Sequence, residues 1–418
     1  MLTDRYVLLG LVLCAGPLAV LGHGVLGAGS VTTAFLLGLP IAALIITGDW
    51  RGFSSNICDV LFTVLICCVV ASLAVNGFGP NAKEPVLLLI TLAAYPAARL
   101  SGKLFKLDGL ILVICFVVAV ATAATIRDLI AQWDDSHGKP FVFGLFDAAP
   151  TQFATAMSFG VLAAASQPLT VRRGLFISGA AALPTIVFAA SVVRFSLYAM
   201  LLTLAVGAIV GKREQRKPVL IIVCVLLAAV VAGMAARSRT TLVFLDRFLT
   251  SAGLESVSAE DLRSPSSIPF DHGKLRTPTV PVLSCEPIDI DNSLAIRIQL
   301  YKDATRLLGW AGFAGLGLDG FAAVTCVTGH PAHNSYLQTI IEIGWPGGIA
   351  FLLLTVFAFG PGRVSLTSPE LRFAGLGLLF AVLTSVVYGR LSRDIALFLF
   401  LGLAAGVPRC GIPNPARS

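Results

Sequence analysis

Residues Gly329 to Leu352 read Gly-His-Pro-Ala-His-Asn-Ser-Tyr-Leu-Gln-Thr-Ile-Ile-Glu-Ile-Gly-Trp-Pro-Gly-Gly-Ile-Ala-Phe-Leu. Here the longest polar segment of the chain re-enters apolar sequence, and two of only 5 histidines, His330 and His333, stand at that boundary. Pro331 blocks a helix upstream. Ser335 with Gln338 three residues on has the spacing of a capping box, so a helix is expected to begin near Tyr336. His333 and Asn334 then sit just before a helix N-terminus. Unpaired N–H groups and the positive dipole end favour anions there and push an adjacent imidazole toward its neutral, basic form. An uncharged histidine beside an anion pocket is what a general base for a phosphate-leaving substrate needs.

Outward from this stretch, composition sets the class. Of 418 residues 56% are hydrophobic and 13% charged, and the mean hydropathy is +0.87, which excludes an ordinary soluble domain. Apolar runs of roughly 17 to 25 residues have the length of bilayer-crossing helices. They lack the alternation of a membrane barrel. The expected fold is an all-α polytopic membrane protein with about 12 transmembrane helices. They fall near 6–22, 29–48, 57–78, 85–100, 108–126, 150–168, 174–193, 195–211, 217–236, 335–358, 369–389 and 393–408. Residues 1–236 thus hold nine helices, 237–334 form one large loop with an amphipathic helix, and 335–418 hold three helices. The first run exceeds a signal-peptide core and is taken as retained.

Lys and Arg placement orients the chain. With the N-terminus cytoplasmic, that side collects Arg5, Arg51, Arg99, Lys103, Lys106, Arg172, Arg173 and the cluster Lys212, Arg213, Arg216 and Lys217, among others. The short loops opposite hold Lys83, Arg127, Lys139, Arg194, Arg390 and Arg393. This asymmetry places both termini in the cytoplasm and the large loop on the outer face. It also accounts for the net charge of +7, and no basic patch interleaved with aromatics points to nucleic acid.

The loop carries Ser/Pro-rich stretches at Ser264–Ser267 and Thr277–Thr279 and an expected helix over Asn292–Leu308. A loop of this length is usually functional or disordered, and the periodic helix argues against disorder throughout. Cys285 and Cys326 both fall in it. In an oxidising compartment they either pair, tying the loop around its helix, or stand as two free thiols.

Two arginines are not explained by topology. Arg194 is the one ionisable charge between Leu175 and Val210, at a turn with no polar linker. It is either a snorkelling anchor or a functional intramembrane charge. On the loop helix, Leu294, Ile298, Tyr301, Thr305 and Leu308 form one stripe at about 100° per residue, and Arg297 falls inside it. Gln299, Lys302, Asp303 and Arg306 are expected on the wettable side. An arginine on a docking face calls for an anion, either phosphate oxygens or a structural carboxylate. Arg237, Arg239 and Arg247 open the loop and are either solvated or ligand-facing, with Arg247 ranked above the other two.

Other chemistries are discounted. Pro331 between His330 and His333 spoils a zinc-binding presentation, with no further ligand nearby. Gly315-Leu316-Gly317 lacks the strand and lysine of a nucleotide loop. The Gly344–Gly348 cluster is expected to kink the tenth span.

The run His333-Asn334-Ser335-Tyr336-Leu337-Gln338 through Glu342-Ile343-Gly344 resembles the signature of the O-antigen ligase and polymerase superfamily of bacterial envelope enzymes. So does the upstream pattern of Arg297, Tyr301-Lys302-Asp303-Ala304, Gly315-Leu316-Gly317 and Phe321. Arg194 resembles that family's other recurrent arginine, and the plan of about 12 spans with one large loop is similar too. The resemblance implies a GT-C-like, metal-independent glycosyltransferase of the bacterial inner membrane, with the loop periplasmic and no cofactor. It would take a glycan from undecaprenyl diphosphate and pass it, with inversion, to an acceptor hydroxyl, either lipid A core or a growing glycan. His333 would be the base, Arg194 and Arg297 would hold the diphosphate, and Arg247, Asn334, Tyr336 and Glu342 would contact substrate. Ligase leads, because a single large loop resembles ligases more than polymerases. The alternatives are an O-antigen or exopolysaccharide polymerase, a protein oligosaccharyltransferase, and a lipid-linked glycan transporter. A transporter would gather its charges at the midplane in two related halves rather than at one face.

Overall fold

The computed structural model describes residues 5–51, 53–79, 81, 83–101, 107–133, 139–243, 283, 285, 293–360 and 368–406. Arg247, the Ser/Pro-rich stretches, His137 and His272 lie outside the described residues. The first ten helices are α1 (Arg5–Leu13), α2 (Ala15–Leu26), α3 (Ser30–Ile46), α4 (Ile57–Asn76), α5 (Lys83–Leu100), α6 (Leu107–Ala131), α7 (Ala149–Ser166), α8 (Val171–Ala190), α9 (Phe195–Val210) and α10 (Arg213–Ala236). The remainder are α11 (Ser293–Leu307), α12 (Gly320–Val324), α13 (Ser335–Ile343), α14 (Trp345–Ala358), α15 (Pro369–Tyr388) and α16 (Ile395–Ala405).

Five of these, α4, α6, α8, α10 and α15, are long and apolar enough to cross a membrane, and α1 with α2 adds a sixth as a span bent by 73°. Thr32–Ile46, Phe195–Val210, Trp345–Ala358 and Ile395–Ala405 are shorter apolar helices. The chain is therefore an all-helical, multi-pass membrane protein, with no strand among the described residues.

Small residues let the helices pack closely. A Cβ on Gly233 of α10 would lie 2.4 Å from the Ile186 carbonyl oxygen of α8, and one on Gly402 of α16 2.3 Å from the Tyr95 oxygen of α5. In lipid, where apolar contact gains little over lipid tails, such backbone approach is a main source of helix association. Between the helices, Phe351, Phe398, Phe159 and Phe400 are fully buried, Phe351 stacking on Phe398 at 5.3 Å.

The polar contacts sort to the two ends of the bundle. At one end Arg99 pairs with Asp59 at 2.8 Å, and Arg372 donates to the Ser166 oxygen at 3.2 Å. At the other, the C-termini of α4 and α15 meet the segment that carries α11 to α13, through Asn76 Nδ2 donating to the Ala314 oxygen at 3.1 Å and Tyr301 Oη donating to the Val386 oxygen at 2.7 Å. A second, smaller core lies there, built from Leu300, Ala304, Leu307, Phe321, Val327, Ala332 and Ile341.

Two expected spans are interrupted. The run 6–22 bends between α1 and α2. The run 335–358 breaks at Gly344 into α13 and α14, because Gly344 has φ +99° and packs on the preceding loop. A Cβ there would lie 2.1 Å from the Phe313 oxygen. The polar end of α13 is thus freed from the direction of α14.

Candidate functional site

Helix α11 presents two faces. Leu300, Ala304 and Leu307 enter the small core together with Gln299 and Asp303, while Ile298, Lys302, Thr305 and Arg306 are exposed. The docking stripe expected from sequence is therefore out of phase. Asp303 reverses it: its carboxylate is fully buried, accepting from Gln299 Nε2 (2.8 Å), Thr325 Oγ1 (2.8 Å) and the Cys326 amide (2.9 Å). A buried carboxylate with three donors is satisfied, which a hydrophobicity pattern cannot register. Cys326 is joined to Cys285 by a disulfide, so the chain entering α11 is tied to the segment leading to His333.

The flank of α11 carrying Arg297 and Tyr301 meets the bundle. Tyr301 Oη donates to the Val386 carbonyl at 2.7 Å, and the Arg297 guanidinium lies 4.7 Å from the centroid of the Phe195 ring. Phe195 opens α9, directly after Arg194, which is half-buried at the helix N-cap. The turn before it is tight, with Val192 at φ +61° and the Val193 amide bonded to the Phe188 oxygen at 3.1 Å. Beneath lies a ring of hydroxyls: Ser196 to Tyr388 at 2.9 Å, and Thr155 to each at 3.1 Å. Arg297 forms no ion pair among the described residues. Burial pushes its guanidinium below its ordinary value. The structural carboxylate is thus not what it meets there.

His333 stands at φ +52° immediately before the cap of α13. That cap is Asn334, whose Oδ1 accepts from the Tyr336 and Leu337 amides at 3.0 and 3.1 Å. The capping box expected of Ser335 and Gln338 does not form. Ser335 donates to Asp394 at the start of α16, and the Gln338 side chain bonds Glu342 Oε2 (3.0 Å) and the Leu391 amide (3.0 Å). Asn334, one residue earlier and among the side chains best suited to that position, takes the cap instead.

His333 is pushed down to about 4, first by burial, then by Arg297, His330, Arg390 and Lys139. The imidazole is therefore neutral near pH 7. The His330 and His333 rings are 6.4 Å apart, and no cluster of three or more His, Cys, Asp or Glu among the described residues has a metal-holding arrangement.

Not every residue singled out from sequence gathers here. Arg297 and His333 share one electrostatic environment, and Arg194 adjoins the ring under Arg297. Tyr336 points into the bundle, its ring stacked on Phe351 at 4.7 Å and its hydroxyl 3.1 Å from Thr355 Oγ1. Glu342, two turns further along α13, belongs to a separate buried network. There Arg390 bridges Glu84 (3.1 Å) and Asp319 (2.6 Å), and Arg393 also pairs with Glu84 (3.0 Å). A cavity with room for about one water lies between Glu84, Asp319, Gln338, Glu342 and Ser392. Conversely Lys139, Tyr388 and Asp394 border the site without having been singled out. Lys139 reads as a topology charge, while Tyr388 and Asp394 sit at the ends of apolar runs, where a polar residue is expected in any case.

The arrangement is a neutral imidazole beside cations drawn from separate parts of the chain, at one end of a membrane bundle. That is the equipment for activating a hydroxyl next to a phosphorylated group. Comparison with known families agrees: residues 179–352 match the family model described as O-antigen ligase. The matched segment, which contains Arg194, Arg297 and His333, is thus similar to the O-antigen ligase family, whose members are glycosyltransferase-like enzymes. No curated protein and no solved structure matches the chain.

Proposed function

We propose that the protein is an O-antigen ligase-like inverting glycosyltransferase of the bacterial inner membrane. It moves a glycan from undecaprenyl diphosphate to a hydroxyl of lipid A core on the periplasmic side, within a GT-C-like bundle of about 12 spans with both termini cytoplasmic. His333 takes the proton of the acceptor hydroxyl as its oxygen attacks the anomeric carbon. The glycosyl C–O bond to the diphosphate breaks from the opposite face, and the leaving group departs with the electron pair. A single displacement inverts the configuration. Arg194 and Arg297 offset the charge that grows on the leaving oxygens, a preorganised contribution that is often the largest in catalysis.

One observation carries this reading: Arg297 lies over the ring next to Arg194 while also depressing the neutral His333. The base and the two guanidinium groups come from segments far apart in sequence. Asn334 supports the reading as the cap that fixes the helix start behind His333. The test is a deletion strain complemented with variants, its lipopolysaccharide resolved by silver staining and its carrier-linked glycan measured. Loss of all long chains with polymer retained on the carrier lipid is the expected result. A core bearing a single repeat would instead identify a polymerase. His333→Ala and Arg194→Ala should reach the membrane at normal levels and fail to complement; full complementation by either would overturn the assignment.

A further inference from the structure

The C-terminal end of α15 touches the three segments that carry Arg194, Arg297 and His333. Its Val386 carbonyl accepts from Tyr301 Oη at 2.7 Å, one turn along α11 from Arg297. Two residues on, the Tyr388 hydroxyl lies 2.9 Å from Ser196 Oγ. Ser196 directly follows Phe195, the ring under the Arg297 guanidinium, and Arg194, the N-cap of α9. Gly389 then closes against the start of α13, where a Cβ would collide with Ser335 Oγ, two residues after His333.

The hydroxyls at this end are tied to one another. Thr155 Oγ1 donates to the Thr151 carbonyl of its own helix at 2.8 Å, so toward Ser196 and Tyr388 it can only accept. The protons of Ser196 and Tyr388 are left to serve three contacts of 2.9 to 3.1 Å between α7, α9 and α15. The three hydroxyls therefore fix helix ends against each other rather than offering a donor to substrate. Ser196 is fully buried and Tyr388 half-buried. Losing one bond there leaves polar atoms without water to replace it, which holds the geometry firmly.

We propose that Tyr388 is a positioning residue for glycosyl transfer, setting the start of α9 through Ser196 and with it the Arg194–Phe195 platform under Arg297. This rests on the glycosyl-transfer reading above. The two arginines stand on different helices, and the end of α15 joins those helices, bonded to α9 through Tyr388 and to α11 through Val386. Without the Tyr388 hydroxyl the guanidinium groups shift relative to the leaving oxygens. A misplacement of about 1 Å can cost on the order of a hundredfold in rate. The loss is felt where charge develops, so it falls on kcat and kcat/KM together and leaves donor KM little changed.

The test uses the full-length protein in proteoliposomes with lipid-linked glycan as donor, kcat being expressed per folded protein. Tyr388→Phe keeps the ring and removes only the hydroxyl. It should lower kcat about tenfold or more, with donor KM within about twofold of wild type. Thr155→Val should act in the same way, whereas Thr155→Ser, which keeps a hydroxyl, should retain most of the activity. In an Arg297→Lys background Tyr388→Phe should add much less than it does alone, because both changes disturb one arrangement. Wild-type kcat in Tyr388→Phe would overturn the proposal, as would less folded protein with kcat unchanged. So would a fully additive loss in the Arg297→Lys background, which is what an unrelated packing defect gives. His333→Ala is assayed alongside. If it transfers glycan normally, the transfer reading fails; if it is inactive while Tyr388→Phe keeps wild-type kcat, the positioning role alone is excluded.

Discussion

The imidazole of His333 should titrate at different pH values in the free and donor-bound protein. Its fall from 6.5 to about 4 corresponds to about 3 kcal/mol against the imidazolium. A bound diphosphate reverses the local field. One net negative charge about 5 Å away, at an effective dielectric of about 20, returns roughly 3 kcal/mol in favour of the protonated ring. The group in the complex therefore titrates near its ordinary value. A base must be deprotonated to work, so activity falls as pH drops through each value. The acid limb of kcat/KM, which reports the free protein, should lie near pH 4, and that of kcat, which reports the complex, about two pH units higher. The assay is initial rates of glycan transfer in proteoliposomes over a range of pH, with donor concentration varied at each. Coincident acid limbs, or a kcat limb below that of kcat/KM, would refute the placement of an anion beside His333. The same depression makes folding less stable as pH falls from 6.5 toward about 4, because the unfolded chain takes up the proton first. Pyrophosphate should soften that loss.

Three other outcomes follow from the geometry. Arg297→Lys keeps the charge but loses the planar fork over Phe195, so transfer should fall about tenfold or more in the same assay. Gly344→Ala sets a Cβ 2.1 Å from the Phe313 oxygen at φ +99°. It should cost about 2 kcal/mol or more, seen as a lower unfolding midpoint and less protein in the membrane. The disulfide closes a sequence separation of 41 residues, worth about 4 kcal/mol in the chain-entropy picture. A reductant should therefore lower the wild-type unfolding midpoint and leave a Cys285→Ala, Cys326→Ala double variant unmoved.

The helical membrane class was legible because apolar runs report burial directly, and His333, Arg194 and Arg297 stood out because each breaks a local expectation of hydrophobicity or position. The phase of α11 was not legible. Asp303 and Gln299 look wettable one residue at a time, yet three donors from outside the carboxylate's own backbone make Asp303 a core residue. Ser335 at helix-start spacing looked like the cap, but a partner 59 residues away, Asp394, claims its hydroxyl. Pattern reading sees periodicity within a segment, whereas polar satisfaction is decided between segments.

That distinction bears on how the fold sustains a site its own charges oppose. Among the described residues four non-glycine positions have positive φ: Phe143, Val192, Asp319 and His333. Val192 is in the turn that presents Arg194, His333 stands immediately before the Asn334 cap, and Asp319 pairs with Arg390, whose charge helps hold the His333 imidazole neutral. Each such backbone costs on the order of 1 to 3 kcal/mol and persists only where its surroundings over-determine it. Left to relax, these turns would release strain by letting the cations drift apart toward water. The ring of Phe143 against Gly24, the Asp319–Arg390 pair and the Asn334 cap prevent that relaxation. Under the proposed function, an end held in this way would need little reorganisation when a diphosphate arrives, which is the condition under which fixed charges contribute most to a transition state.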